Sequence, residues 1–180
     1  MKPEKITTLA EKLGTTTHLS PLLMKARRLG LGAMELEQLA IQRGCSHYSG
    51  NGEPLSHEVS EASFSNEELA VSLLNPALGY DPHTIRCGAA MLSAPGNQPL
   101  RLARLLQMER AEQPARHIAE AGRRYEPANP FWTDLLGALP ATRVPPSGVL
   151  PHPTRYITMT GFTRSGPGLV IHWVRPASKA

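Results

Sequence analysis

Between positions 45 and 61 the chain places Cys45, His47, His57, Glu58 and Glu61. Thiolate, imidazole and carboxylate all suit zinc, so Cys45, His47, His57 and Glu61 form one candidate metal set. His57 and Glu61 are also separated by the four-residue step that puts two side chains on one helix face. A zinc-binding helix of that kind needs a second imidazole, and Glu61 stands in its place. Cys45-Ser46-His47 is moreover tighter than the usual spacing of zinc ligands. A polar loop explains the same letters without metal, and no cofactor is expected. Nucleophilic chemistry has less support: no Gly-x-Ser-x-Gly elbow occurs, and neither Cys45 nor Cys87 lies in an activating context.

Arginines supply the second kind of chemistry. Arg101, Arg104, Arg116 and Arg123 lie on helical stretches, and Arg155, Arg164 and Arg175 alternate with Tyr156, Phe162 and Trp173 near the end. Guanidinium groups can neutralise phosphates, and aromatic rings on a β-ribbon can stack on bases. Against this, Glu120 can pair with Arg124, and Glu109 and Glu112 lie close to Arg110, which describes a self-neutralised face. Leu9 to Gly14 looks like the opening of a helix-turn-helix. The threonines at 15–17, His18 and Pro21 break the second helix that such a motif needs.

These residues must be held by a framework, and its elements are legible. Ile6, Leu9, Ala10 and Leu13 form a helical stripe over Pro3–Leu13. Ser20-Pro21 starts a second helix to Leu29, and a third covers about Ala33–Arg43. Residues 44–63 lack periodicity and form an acidic polar loop. Ser65 with Glu68 makes a capping box, Asp81-Pro82 another helix start, and helices follow at Pro99–Arg110, Pro114–Tyr125 and Phe131–Leu139. Residues 141–153 form a Pro-rich linker. Arg155–Thr163 and Leu169–Arg175 are strand-like around a Gly-rich turn. The expected fold is mainly α (α+β): a small bundle of seven or eight helices with a C-terminal β-hairpin. The expected units are 1–43, 44–63, 64–140, 141–153 and 154–176.

Bulk composition bounds the function. Hydrophobic residues at 41% and charged residues at 19% fit a folded domain rather than a disordered chain. The apolar runs are too short to span a membrane, the N-terminus has no apolar core of a secretory signal, and two cysteines make no disulfide framework. A cytoplasmic setting follows as the expectation. Net charge is unevenly spread: residues 44–81 hold six acids and no Lys or Arg, whereas 127–180 hold five cations and Asp134 alone. That layout argues against a uniform polyanion binder.

A lone hairpin is marginal in water. The apolar side chains of this one therefore need cover, from the bundle or from another chain. Tyr156, Phe162, Ile171 and Trp173 are accordingly the candidate partner contacts. The expected function is a non-enzymatic interaction or assembly protein binding a protein partner or a second copy. A nucleic-acid-binding accessory protein is the alternative, and a metal-dependent enzyme at the Cys/His/Glu loop a distant one.

Overall fold

The computed structural model describes residues 20–45, 63–161 and 168–176. It is mainly α, with seven α-helices among the described residues and a two-stranded antiparallel hairpin near the C-terminus. The first expected helix, most of the acidic loop and the hairpin turn lie outside the described residues.

Local chemistry explains where each helix begins. In α1 (Pro21–Arg28) the Ser20 hydroxyl accepts the Leu23 N–H at 3.0 Å, and Lys25, Arg27 and Arg28 fill the last turn, where cations offset the helix dipole. In α2 (Ala33–Gln42) the Glu35 carboxylate reaches back to the Gly32 N–H at 2.9 Å. The capping box of α3 (Asn66–Leu73) is formed as expected, with Ser65 and Glu68 bonded reciprocally at 3.1 and 2.9 Å. Asp81 caps α4 (Pro82–Leu92) through the His83 and Thr84 N–H groups. Then come α5 (Pro99–Met108), α6 (Glu112–Tyr125) and α7 (Pro130–Ala138). α6 starts two residues before the expected Pro114, because a proline in the first turn lacks only an N–H that has no intrahelical acceptor.

α4 is the axis of the fold. Thr84, Ile85, Cys87, Gly88, Ala89, Ala90, Met91 and Leu92 are all buried, and helices α2, α3 and α6 surround it. Apolar residues on every face put a helix at the centre rather than the surface. Gly88 lets α3 approach α4 closely: a Cβ there would stand 2.7 Å from Leu74 Cδ2. α7 lies across α5 and α6, and one core cluster runs from Leu22 to Val174. The N-terminal helices and the hairpin thus share a core with the central helices.

Long-range polar ties join these elements. Glu67, 5% exposed, accepts the Gln98 N–H and pairs with Arg101, linking α3 to the start of α5. Glu109 is fully buried and accepts hydrogen bonds from Ser20, the Leu22 N–H and Asn75. The expectation that Glu109 neutralises Arg110 is therefore corrected: its carboxylate turns inward to the N-terminus of α1.

The Pro-rich segment follows α6. The Gln113 amide donates to the Arg143 carbonyl, and the His117 Nε2–H donates to the Pro151 carbonyl. A 3-10 turn (Pro153–Tyr156) then leads into β1 (Ile157–Thr160), which pairs with β2 (Val170–Trp173). Both strands are shorter than expected, because residues 153–156 coil before the pairing begins.

Candidate functional site

The hairpin has a rooted half and a projecting half. At the root, Ile157 is paired with Trp173, and both are buried with Tyr156 and Val174. Trp173 packs on Trp132 of α7 with ring centroids 4.7 Å apart, and on Tyr156 at 5.6 Å. Phe131 meets Trp132 edge-on. Such aromatic contacts contribute about 0.5–1.5 kcal/mol each beyond burial. The Tyr156 hydroxyl donates to the Pro151 carbonyl at 3.3 Å.

Glu126 ties the root to the helices. It is the C-terminal cap of α6, a poor place for an acid in terms of the helix dipole. Arg175 grips it with two nitrogens at 2.9 and 2.6 Å, and the Trp132 indole N–H and Asn129 amide add two more hydrogen bonds. Partial burial works to raise its carboxyl. The Arg175, Trp132 and Asn129 hydrogen bonds and the Arg175 charge outweigh that, holding it below the usual range.

A lowered carboxyl lends stability above its unfolded value, and that stability is lost as pH falls through its folded value. Acidification below about pH 4.3, the ordinary glutamate value, should therefore loosen the root. Both tryptophans of the chain sit in this stack, so tryptophan emission reports it. We expect Glu126→Gln to remove most of the acid-dependent emission change. Identical acid profiles for variant and parent would show that another group controls it.

The projecting half continues the same face into solvent. Met159 pairs with Ile171, and alternation places both on the side occupied by Ile157 and Trp173. Met159 is 39% exposed, Ile171 36% and the neighbouring Leu169 51%. The apolar face thus outruns the helical body that covers its lower part.

Two candidate partner contacts are corrected by this placement. Tyr156 and Trp173 face the chain's own helices, because the aromatic residues of α7 form their seat. Ile171 is exposed, and Phe162 falls outside the described residues. Met159 and Leu169 were missed; strand alternation marks their face, but not how far the helices reach along it.

The arginines are scattered among different tasks. Arg101 pairs with Glu67 at 2.8 Å. Arg116 donates to the carbonyls of Leu136, Leu139 and Pro140 at the end of α7 and pairs with Glu120 at 3.7 Å, so Glu120 pairs with Arg116 rather than with Arg124. Arg175 holds Glu126. Arg104, Arg123 and Arg155 are exposed, and Arg164 lies outside the described residues.

His47, His57 and Glu61 of the candidate metal set also lie outside the described residues. Cys45 is fully buried, its thiol donating to Met91 Sδ at 3.4 Å, and burial pushes its pKa up to about 12. Among the described residues no group of three or more His, Cys, Asp or Glu side chains could hold a metal ion.

One constellation went unseen in the sequence. Glu37, His83 and Cys87 come together, with Glu37 Oε2 3.0 Å and Cys87 Sγ 3.9 Å from the same His83 Nδ1. A nucleophile–base–orienter relay needs the two partners on different ring nitrogens. Burial first, then the Glu37 charge, raises the Cys87 thiol to about 12. The thiolate required for attack is thus absent at neutral pH. Thr84 donates to Glu37 as well, which makes the group a polar tie between α2 and α4.

No helix among the described residues is long and apolar enough to cross a membrane. Searches of protein-family models, of curated proteins and of solved structures each find no match for this chain.

Proposed function

We propose that this chain is a non-enzymatic interaction protein that engages a protein partner, or a second copy of itself, through the projecting half of its C-terminal hairpin. The observation that carries this reading is the change in exposure along one face: Ile157 and Trp173 are buried, whereas Met159, Ile171 and Leu169 are not. Apolar side chains on the solvated end of a two-stranded ribbon are a standing site for association. The buried, high-pKa thiols of Cys45 and Cys87 also fit a protein without cysteine chemistry.

Deleting the hairpin would be a poor test, since it would also strip Tyr156 and Trp173 from the core. Replacing Met159 and Ile171 together by glutamate in the full chain leaves the root intact. The expected result is loss of association, in sedimentation of the protein and in recovery of partners from native extract, with unchanged tryptophan emission. Association that survives the double substitution would remove the reading.

The second reading, a nucleic-acid accessory role, draws on the exposed Arg104, Arg123 and Arg155. It is weakened by the carboxylate pairing of Arg101, Arg116 and Arg175. Binding to generic duplex or single-stranded DNA or RNA that weakens steeply with salt would favour it.

A further inference from the structure

Building on the association reading, we infer that the outer edge of β2 is a docking edge for an extended, acidic segment of a different protein, taken up as a third strand. The phase of the ladder carries this. The Val174 N–H donates to the Tyr156 carbonyl at 2.9 Å, which makes 156 and 174 a hydrogen-bonded pair. Such pairs alternate in an antiparallel ladder. With the observed register, Thr158/His172 and Thr160/Val170 bond inward, while Ile157, Met159, Ile171 and Trp173 turn their backbone groups outward. By this phase the N–H and C=O of Ile171 point away from β1. The residue with the open amide is thus also one whose apolar side chain stands in solvent.

β2 is the better of the two edges. Leu169, Val170 and Ile171 are successive exposed apolar residues, whereas β1 offers Met159 between two threonines. Proteins usually guard such an edge with proline, lysine or a bulge. Val170 to Trp173 carries neither proline nor lysine, and its pairing with β1 runs without a bulge. A strand laid along Ile171 would cover Leu169 and Ile171 on one face and Val170 on the other.

Charge selects the occupant. With Arg175 held by Glu126, residues 141–176 still carry Arg143, Arg155 and Arg164 and no Asp or Glu. Two copies meeting edge to edge would bring like charges together, whereas an acidic segment is attracted. The exposed apolar surface is also small beside the roughly 1,000 Å² that a stable protein interface buries. Main-chain hydrogen bonds must therefore supply much of the affinity, as in strand addition.

The test uses the full chain and a short fluorescein-labelled peptide alternating glutamate and valine, with binding read by anisotropy. Saturable binding is expected. It should weaken by about tenfold or more when the peptide is N-methylated at alternate amides, from the loss of about two hydrogen bonds. It should also weaken when lysine replaces glutamate. Ile171→Pro removes the outward N–H without touching an inward ladder bond, and should weaken binding similarly, whereas Ile171→Val should not. Unchanged tryptophan emission certifies that each variant keeps its root. No saturable binding, or equal binding of the N-methylated peptide, overturns the strand-addition inference. A dimer abolished by Ile171→Pro would replace the foreign segment with a second copy. If the double glutamate variant loses association while the N-methylated peptide still binds equally, only the strand geometry fails; if it keeps association, the parent reading fails too.

Discussion

Replacing Gly122 by alanine should destabilise the protein although the position lies inside a helix. Glycine within a helix is worse than alanine by up to about 1 kcal/mol, so propensity alone would favour the change. Space decides otherwise. A Cβ at Gly122 would stand 2.3 Å from both Cδ2 and Cε2 of Trp132, and 2.7 Å from Cε3. That ring has nowhere to go: it is fully buried, its N–H is bonded to Glu126, and Trp173 and Phe131 flank it. Forcing a methyl into a closed core costs roughly 3 kcal/mol at the upper end of the usual range. The net loss should therefore be about 2 kcal/mol, a fall in Tm of roughly 4–8 °C for a chain of this size. Gly137→Ala in α7 is the matched control, since a Cβ at that position would meet no atom within 4 Å. Thermal denaturation should show the two substitutions moving Tm in opposite directions. A neutral Gly122→Ala would mean that the indole can slide, and that the hairpin seat is softer than its packing indicates.

Glu109→Ala should be the second large loss. The carboxylate lies fully inside the protein, accepts from Ser20, from the Leu22 N–H at 2.9 Å and from the Asn75 amide at 3.0 Å, and faces the N-terminus of α1. Three donors and a helix dipole compensate its desolvation. Alanine leaves those donors buried without their acceptor, at about 1–3 kcal/mol for each one that water cannot reach. A total near 4 kcal/mol is expected from denaturant titration. Glu109→Gln separates acceptor chemistry from shape. Its amide retains one acceptor oxygen but turns an N–H₂ toward other donors, so roughly half of the loss should remain. Glutamine at parental stability would show that volume, rather than the negative acceptor, holds the junction.

Much of this fold could be read directly because its helices announce themselves locally. Ser20-Pro21, Ser65 with Glu68, and Asp81-Pro82 act within one turn of chain, and each starts a helix where their chemistry requires. The polar junctions could not be read this way. Glu109 meets Ser20 across 89 positions, and Arg175 meets Glu126 across 49. No periodicity couples residues so far apart, so Glu109 is easily assigned to its neighbour Arg110. The same blindness made the arginines resemble one phosphate-contacting set, although Arg101 and Arg116 answer to different helix ends and Arg175 belongs to the hairpin root. For the candidate site, the marginal stability of a lone hairpin pointed to apolar side chains that need cover. It could not divide them between Trp173, which the helices cover, and Ile171, which they leave open.

The aromatic seat also constrains the order in which the molecule can be built. Trp132 is translated well before Trp173, the ring that closes over it. Synthesis proceeds from the N-terminus, so the helices emerge with their largest side chain still wet on one flank. The last enclosing piece of the interior is thus made after nearly everything it encloses. A nascent chain halted before position 173 should accordingly present an indole to chaperones that the finished protein hides.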